Sequence, residues 1–316
     1  MPFHTLTSEL ASDVLAKAGV SFAAEQLRVE PREGRWMVRL PEGRLAWFAA
    51  SVEGRRRLAV ERRVLRLLGN RCKFRLPRIL AADVDGDFDV RTMLPGITEP
   101  SRVLAQVRDH AEIARQFGTA VGTILAEQHM SVHVSDVAGW LPLQPSWPMP
   151  GEWIRARLVR VTSDRELIAG ADMVIAKYEA LSIPDADRAL VHTDVGFHNM
   201  VIDPDSIKPC GLFDYEGAAW ADCHHDFRYL IFDLDRFEIL DAAIAGYEAV
   251  ANRRIARSRV LLYNAACAIT FLADRAGTAP PEERPCGRTL AEDLRWAKRA
   301  ISWVAAKAVT TTRTCC

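Results

Sequence analysis

Apolar residues recur along this chain with two different periods. Between residues 22 and 51 the runs Gln26–Glu30, Arg35–Leu40 and Arg44–Ala50 are strand-like. The turn signals Pro31-Arg32-Glu33-Gly34 and Pro41-Glu42-Gly43 separate these runs, which predicts three antiparallel strands. Before them, Ser8–Ala18 places Leu10, Val14 and Leu15 on one face and stops at Gly19, as a short helix would. After them, Leu58, Val60, Val64, Leu65 and Leu68 recur at helical spacing among arginines, predicting an amphipathic helix over Gly54–Asn70. Two further strands are expected near Ile79–Asp83 and Phe88–Met93, before Leu94-Pro95-Gly96 breaks the pattern. Beyond that break the period is mostly helical, over Arg108–His129, Glu152–Val161, Arg165–Leu181, Asp226–Asn252, Arg254–Ala276 and Thr289–Val309. A Pro- and Trp-rich loop spans Ser131–Gly151, with Trp140, Trp147 and nearby Trp153 assigned to packing ahead of a flat wall for a sugar. Ala189–His192 and Gly211–Phe213 read as short strands. The expected class is α+β, with two lobes: a small antiparallel β-rich lobe over residues 1–93 and a larger, mostly helical lobe over 94–316. The crevice between them is the expected ligand site.

Composition narrows the function classes. Lys+Arg and Asp+Glu both number 41 in 316 residues, so the global basic footprint of a nucleic-acid binder is absent. No apolar run approaches the ~18 residues of a membrane span, and the first residues lack a signal-peptide pattern. The seven cysteines show no CxxC spacing, which fits a reducing cytoplasm better than a disulfide framework or a zinc site. Only six of the 41 cations are lysines.

One stretch concentrates chemistry. Leu190-Val191-His192-Thr193-Asp194-Val195-Gly196-Phe197-His198-Asn199-Met200-Val201-Ile202 is followed by Gly211-Leu212-Phe213-Asp214-Tyr215-Glu216. This reads as strand, polar loop, strand, turn, strand, polar tip, with His192, Asp194, Asn199 and Asp214 where apolar strands end. Asn199 and Asp214 offer the oxygen ligands that Mg²⁺ prefers. Asp194 is then free to accept a proton from an attacking hydroxyl, the division of labour of phosphoryl transfer. His198, His224 and His225 are read as solvated or capping residues, not zinc ligands.

The segment resembles the aminoglycoside phosphotransferase and choline kinase group, which has a protein-kinase-like fold. The pattern H-x-D-x-x-x-x-N followed by I-D-[WFY]-E corresponds to His192–Asn199 and Phe213–Glu216 here, and Ala221-Asp222 with His225-Asp226 resembles G-D-x-x-x-D. Leu94-Pro95-Gly96 resembles the hinge, Glu61 the helix-C glutamate, and His129 the histidine closing the long helix, although Gln128 precedes it. The resemblance implies a nucleotide-binding lobe followed by a catalytic and acceptor-binding lobe. It makes Asp194 the base, with His192 bracing its loop and Asp226 anchoring it. Asn199 and Asp214 become Mg²⁺ ligands, and the backbone of Arg91, Thr92 and Met93 meets the base of ATP or GTP. The implied activity moves the γ-phosphate to a hydroxyl of a small acceptor: an aminoglycoside-like antibiotic, an amino sugar or a related metabolite.

The chain departs from that pattern in one place. The third strand should carry a lysine that pairs with the helix-C glutamate and holds the α- and β-phosphates, yet Arg44-Leu45-Ala46-Trp47-Phe48-Ala49-Ala50 contains none. Arg44, on that strand, is the expected substitute, ahead of Arg39. The competing reading is a pseudokinase, a nucleotide- or ligand-binding module without catalysis. Asp233, Asp235, Glu238, Asp241 and Glu248 offer a possible acidic wall for a cationic acceptor, or a solvated helix face.

Overall fold

The structure is a computed structural model. It describes residues 3–84, 86–232, 236–277 and 288–311, except the side chains at 100 and 307–311. Five strands form the first sheet: β1 (Arg28–Arg32), β2 (Arg35–Leu40), β3 (Arg44–Ala49), β4 (Ile79–Ala82) and β5 (Phe88–Thr92). Their order is β1-β2-β3-β5-β4, antiparallel throughout. Period-two alternation divides the sheet's faces. Val38, Leu40, Ala46, Phe48, Phe88 and Val90 pack on one side against α1 (Ser8–Lys17). Arg35, Met37, Leu45, Trp47 and Arg91 line a cavity on the other. Helix α2 (Val52–Gly69) buries Leu58, Val64, Leu65 and Leu68 together with two charged residues, Glu61 and Arg62.

The helical part comprises α3 (Leu104–Asp109), α4 (Ala111–Ser131), α5 (Val134–Val137), α6 (Gly151–Val161), α7 (Arg165–Glu179), α8 (Phe237–Ala251), α9 (Arg257–Asp274) and α10 (Leu290–Thr311). α4 crosses α8 closely because Gly118 and Gly122 lack a side chain. A Cβ on Gly122 would lie 2.0 Å from the carbonyl oxygen of Ala243. α9 is buried along most of its length against α6, α7 and α10. Two hairpin-like pairs serve the site: β6 (Arg188–Val191) with β9 (Ala219–Asp222), and β7 (Met200–Ile202) with β8 (Pro209–Leu212). No helix among the described residues is long and apolar enough to cross a membrane.

Three expectations shift. The helix read over Arg108–His129 is broken at His110, whose backbone is extended. The helix read from Asp226 begins only at Phe237, because Cys223–Phe227 form a 3₁₀ turn capped by the Asp222 side chain on the His224 N–H. β9 falls in a stretch too short and mixed to read as a strand. The tryptophans pack: Trp140 lies under Arg63, Trp147 against Phe271 and Trp153 under Arg157. Cys72, Cys210, Cys223 and Cys267 are free thiols, and the other three cysteines lie outside the described residues.

Candidate active site

β6 delivers His192, Thr193 and Asp194 into a loop that a 3₁₀ turn over Phe197–Asn199 returns to β7. β8 then delivers Phe213 and Asp214. The Phe213 N–H donates to the Asn199 carbonyl at 3.1 Å, so the two polar tips are tied backbone to backbone. His192 braces the junction. Its Nε2 lies 2.8 Å from the Phe213 carbonyl, which can only accept, so Nε2 carries the proton. Nδ1 can then accept the Asp194 N–H at 3.3 Å.

Asp226 holds the loop from below. It accepts the N–H groups of His192 at 2.9 Å and Thr193 at 2.7 Å, and is reached by Gln128 Nε2 at 3.1 Å and His129 Nε2 at 3.0 Å. Gln128 also accepts the Tyr215 hydroxyl at 2.7 Å, linking the long helix to the Asp214 tip. Thr193 and Asp214 both adopt left-handed backbone, with φ of 74° and 69°. Non-glycine residues hold this conformation only when their surroundings impose it. Around Thr193 those surroundings are Asp226 on its N–H, Arg228 on its carbonyl and the Gly217 carbonyl on its hydroxyl.

The Asp194 carboxylate meets Asn199 Nδ2 at 2.8 Å and His198 Nε2 at 3.1 Å. Burial would raise its pKa, but the His198 hydrogen bond and the charges of His198 and Arg228 hold it below the usual carboxylate range. It is therefore ionised at neutral pH. Asn199 spends its amide nitrogen on Asp194, leaving its carbonyl oxygen as a free donor atom.

Asn199, Asp214 and Glu216 share a cavity of about 530 Å³ with the inner face of the sheet. The Asp214 carboxyl keeps about 35% of its surface at the cavity, yet burial of its remainder and the nearby Glu61 charge raise its pKa against the pull of Arg35. Glu216 is pushed up to about 7 by burial, opposed by Arg35 and reinforced by Asp214 and Glu61. Its buried Oε2 has no hydrogen-bond partner, although Arg35 lies 2.7 Å away. The three carboxylates of Glu61, Asp214 and Glu216 face two arginines, Arg35 and Arg91. Hard oxygen donors, a free amide carbonyl and more carboxylates than guanidiniums fit Mg²⁺.

The expected Arg44–Glu61 pair does not form. Arg44 pairs with Glu42 in the adjacent turn and does not line the cavity. β3 alternates, so Arg44 lies on the same face as Ala46 and Phe48, pointing away from α2's glutamate. Glu61 instead receives Arg35 from β2 at 3.1 Å and Arg91 from β5 at 2.8 Å. Burial alone would raise its pKa, but Arg91 and Arg35 hold it low. Arg35 is the residue that reading by strand number missed. The signal was its alternation with Met37 and Arg39 on one strand face. Arg91 acts here through its side chain. Of the backbone expected to meet a base, the Thr92 N–H is spent on Arg78 at 3.0 Å and the Met93 N–H on Gly43 at 2.7 Å. A base edge there must use carbonyls or the next residue, Leu94, which also lines the cavity.

His198 is half-exposed, but His224 and His225 are buried rather than solvated. His224 bridges Asp222 and the Ala256 N–H. His225 stacks on Tyr263 with centroids 4.0 Å apart, and burial with the Arg228 charge pushes its pKa down to about 3. Asp222, Cys223 and His224 lie close enough to hold a metal, but Tyr263 and Arg259 already satisfy Asp222. The acidic helix face is largely neutralised, with Asp241 on Arg257 and Glu248 on Arg254, each at 2.7 Å. Asp233 and Asp235 lie outside the described residues.

Comparison with known proteins bears on the fold and the family. No curated protein sequence matches. Among solved structures, wild-type aminoglycoside 2'-phosphotransferase-IIIa in its GDP complex superposes with a TM-score of 0.70 at 14% identity, over 94% of this chain and 99% of that one. Macrolide 2'-phosphotransferase type I gives 0.61 at 16% identity, over 95% and 98%. Macrolide 2'-phosphotransferase MphH from Brachybacterium faecium gives 0.60 at 18%, over 93% and 98%. These likenesses establish a two-lobed, kinase-like fold. In sequence, residues 16–263 match the family described as "Phosphotransferase enzyme family", and the chain belongs to that family.

Proposed function

We propose that this enzyme transfers the γ-phosphoryl group of ATP or GTP to a hydroxyl of a small molecule: an aminoglycoside-like antibiotic, an amino sugar or a related metabolite. The observation that carries the reading is the Asp194 carboxylate, hydrogen-bonded to Asn199, which lines one cavity together with Asp214. Asp194 accepts the proton of the acceptor hydroxyl as its oxygen attacks the γ-phosphorus. The bond from that phosphorus to the bridging oxygen breaks, and the nucleoside diphosphate leaves. Asn199 and Asp214 hold Mg²⁺, which supplies charge neutralisation for the phosphates. His192 and Asp226 position the loop without touching the reacting atoms. The nucleotide occupies residues 1–93 and the crevice, and the acceptor lies toward 94–316. Free thiols at Cys72 and Cys210 suit a reducing cytoplasm.

A pseudokinase would be favoured by a helix-C glutamate without a cation. Glu61 has two, so the catalytic reading is preferred. The test combines a screen of hydroxylated antibiotics and amino sugars, using labelled ATP and GTP, with two variants. Asp194→Asn should cut turnover about 100-fold or more, with Mg²⁺-dependent nucleotide binding nearly unchanged. Asp214→Ala should abolish both. Identical binding behaviour in the two variants would sink the division of roles.

A further inference from the structure

We infer that Arg35, on β2, is the fixed cation that holds the α- and β-phosphates of the donor nucleotide. The inference rests on the phosphotransfer reading and deepens it. Mg²⁺ neutralises only part of a triphosphate, so a site built for one needs a preorganised cation beside the metal. Four arginines line the cavity: Arg32, Arg35, Arg39 and Arg91. Arg32 and Arg39 are about half-exposed and both lean on Glu30 at the rim. Arg91 is committed, with Nε and Nη2 on Asp89 and Nη1 on Glu61.

Arg35 differs in three respects. Its side chain is 4% exposed, yet its Nε has no hydrogen-bond partner. Its guanidinium bridges the two halves of the site: Nη1 meets Glu61, and Nη2 meets Asp214 at 3.3 Å and Glu216 at 2.7 Å. It therefore lies beside the oxygens that suit the metal, where metal-bound phosphates would come. Its plane is also fixed, with its carbon 4.4 Å from the Trp47 ring centroid. Trp47 is the β3 residue that faces the cavity between Arg35 and Arg91, and it contributes a stacking surface without charge. The Asp214 and Glu216 carboxylates stand where phosphate oxygens would bind Nη2. When phosphates arrive, Nη2 and the free Nε turn to them, while Nη1 keeps Glu61. A planar, permanently charged fork suits this exchange better than a point charge.

The test is a binding comparison at fixed Mg²⁺, by calorimetry, of ADP and GDP against adenosine and guanosine. In Arg35→Met, diphosphate affinity should fall about 30-fold or more, the loss of charge-assisted hydrogen bonds. Nucleoside affinity should stay within about threefold of wild type. An equal loss for nucleoside and diphosphate would mark a merely structural role and overturn the inference, as would unchanged diphosphate affinity. If Arg35→Met does not fold, side-chain ¹⁵N spectra of the wild-type protein decide. The Arg35 Nε–H signal, assigned by its disappearance in Arg35→Lys, should move on adding ADP with Mg²⁺ and not on adding adenosine. An Nε–H signal that ignores ADP refutes the assignment. A wild-type protein that binds no nucleotide overturns the phosphotransfer reading itself, whereas failure of the Arg35 comparison alone leaves that reading standing.

Discussion

Asp226→Asn isolates what holds the catalytic loop. The wild-type carboxylate is buried and faces only donors. Oδ1 accepts from the Thr193 N–H, and Oδ2 from the His192 N–H, Gln128 and His129. An asparagine has one acceptor oxygen. Placed at the Oδ2 position it keeps three of the four partners, but its NH₂ then faces the Thr193 N–H across 2.7 Å. The reverse orientation sets the NH₂ against His192 N–H and Gln128, and Gln128 cannot turn without losing Leu190 and Tyr215. The first orientation is cheaper. It leaves an unpaired buried donor on each side and turns three charge-assisted bonds into neutral ones, for a loss of roughly 3–5 kcal/mol. Burial would raise the Asp226 pKa, but the His129 hydrogen bond and charge and the His192 N–H hold it low. A depressed folded-state pKa stabilises above the unfolded value, near 3.9, and that contribution is lost as pH falls through the folded value. Urea unfolding of wild type and variant from pH 7 to pH 3, followed by far-ultraviolet circular dichroism, should show the largest gap at pH 7, closing below about pH 4. A gap under about 1 kcal/mol at pH 7, or one independent of pH, would refute the account of Asp226 as the anchor.

The remaining predictions concern the sheet. Arg44→Ala should leave nucleotide affinity and turnover within about twofold of wild type, because Arg44 pairs with Glu42 and lies over the Phe22 ring, away from the cavity; a larger loss in a nucleotide titration restores Arg44 to the site. Gly54→Ala should destabilise, although alanine favours helix by about 1 kcal/mol. Its Cβ would lie 2.0 Å from the Gly34 carbonyl oxygen and force the β1–β2 turn off the start of α2; a stability equal to or above wild type in urea contradicts that contact.

Much of the fold is local, and local patterns show it. The strand-like runs over Arg35–Leu40 and over Arg44–Ala50, and the helical stripe that includes Leu58 and Leu68, each need one face buried, and the structure buries them. Errors fall where tertiary contacts overrule local pattern. Asp226 to Arg236 looks helical by composition. Cys223–Phe227 are held in a 3₁₀ turn instead, because Asp222 caps the His224 N–H and Asp226 must face the His192 loop. His224 and His225 sit in a polar-looking stretch and read as solvated or capping residues; both are buried, and His224 does accept the N–H of Ala256, the residue that caps α9. Burial of His224 depends on Asp222 and Ala256, and that of His225 on stacking against Tyr263; Ala256 and Tyr263 lie about 30 to 40 positions downstream.

That His192, Asp194, Asn199 and Asp214 come together was legible because their spacing is short and their backbone ties are local. The cation that pairs with Glu61 was not, and the reason is geometric. A motif assigns a charge to a strand by its place in the sequence, whereas a ligand meets a surface. Neighbouring strands lie only about 4.8 Å apart, less than an arginine's reach, so a guanidinium on β2 can fill a place that a lysine on β3 would occupy. The substitution needs compensation on the strand it displaces. Trp47 supplies it, a cavity-facing β3 side chain that supports Arg35 and does not compete for Glu61. Arg35 and Trp47 are therefore best read as one unit. Neither carries the meaning alone, and only the pairing register, Arg35 opposite Ala49 and Met37 opposite Trp47, brings them together.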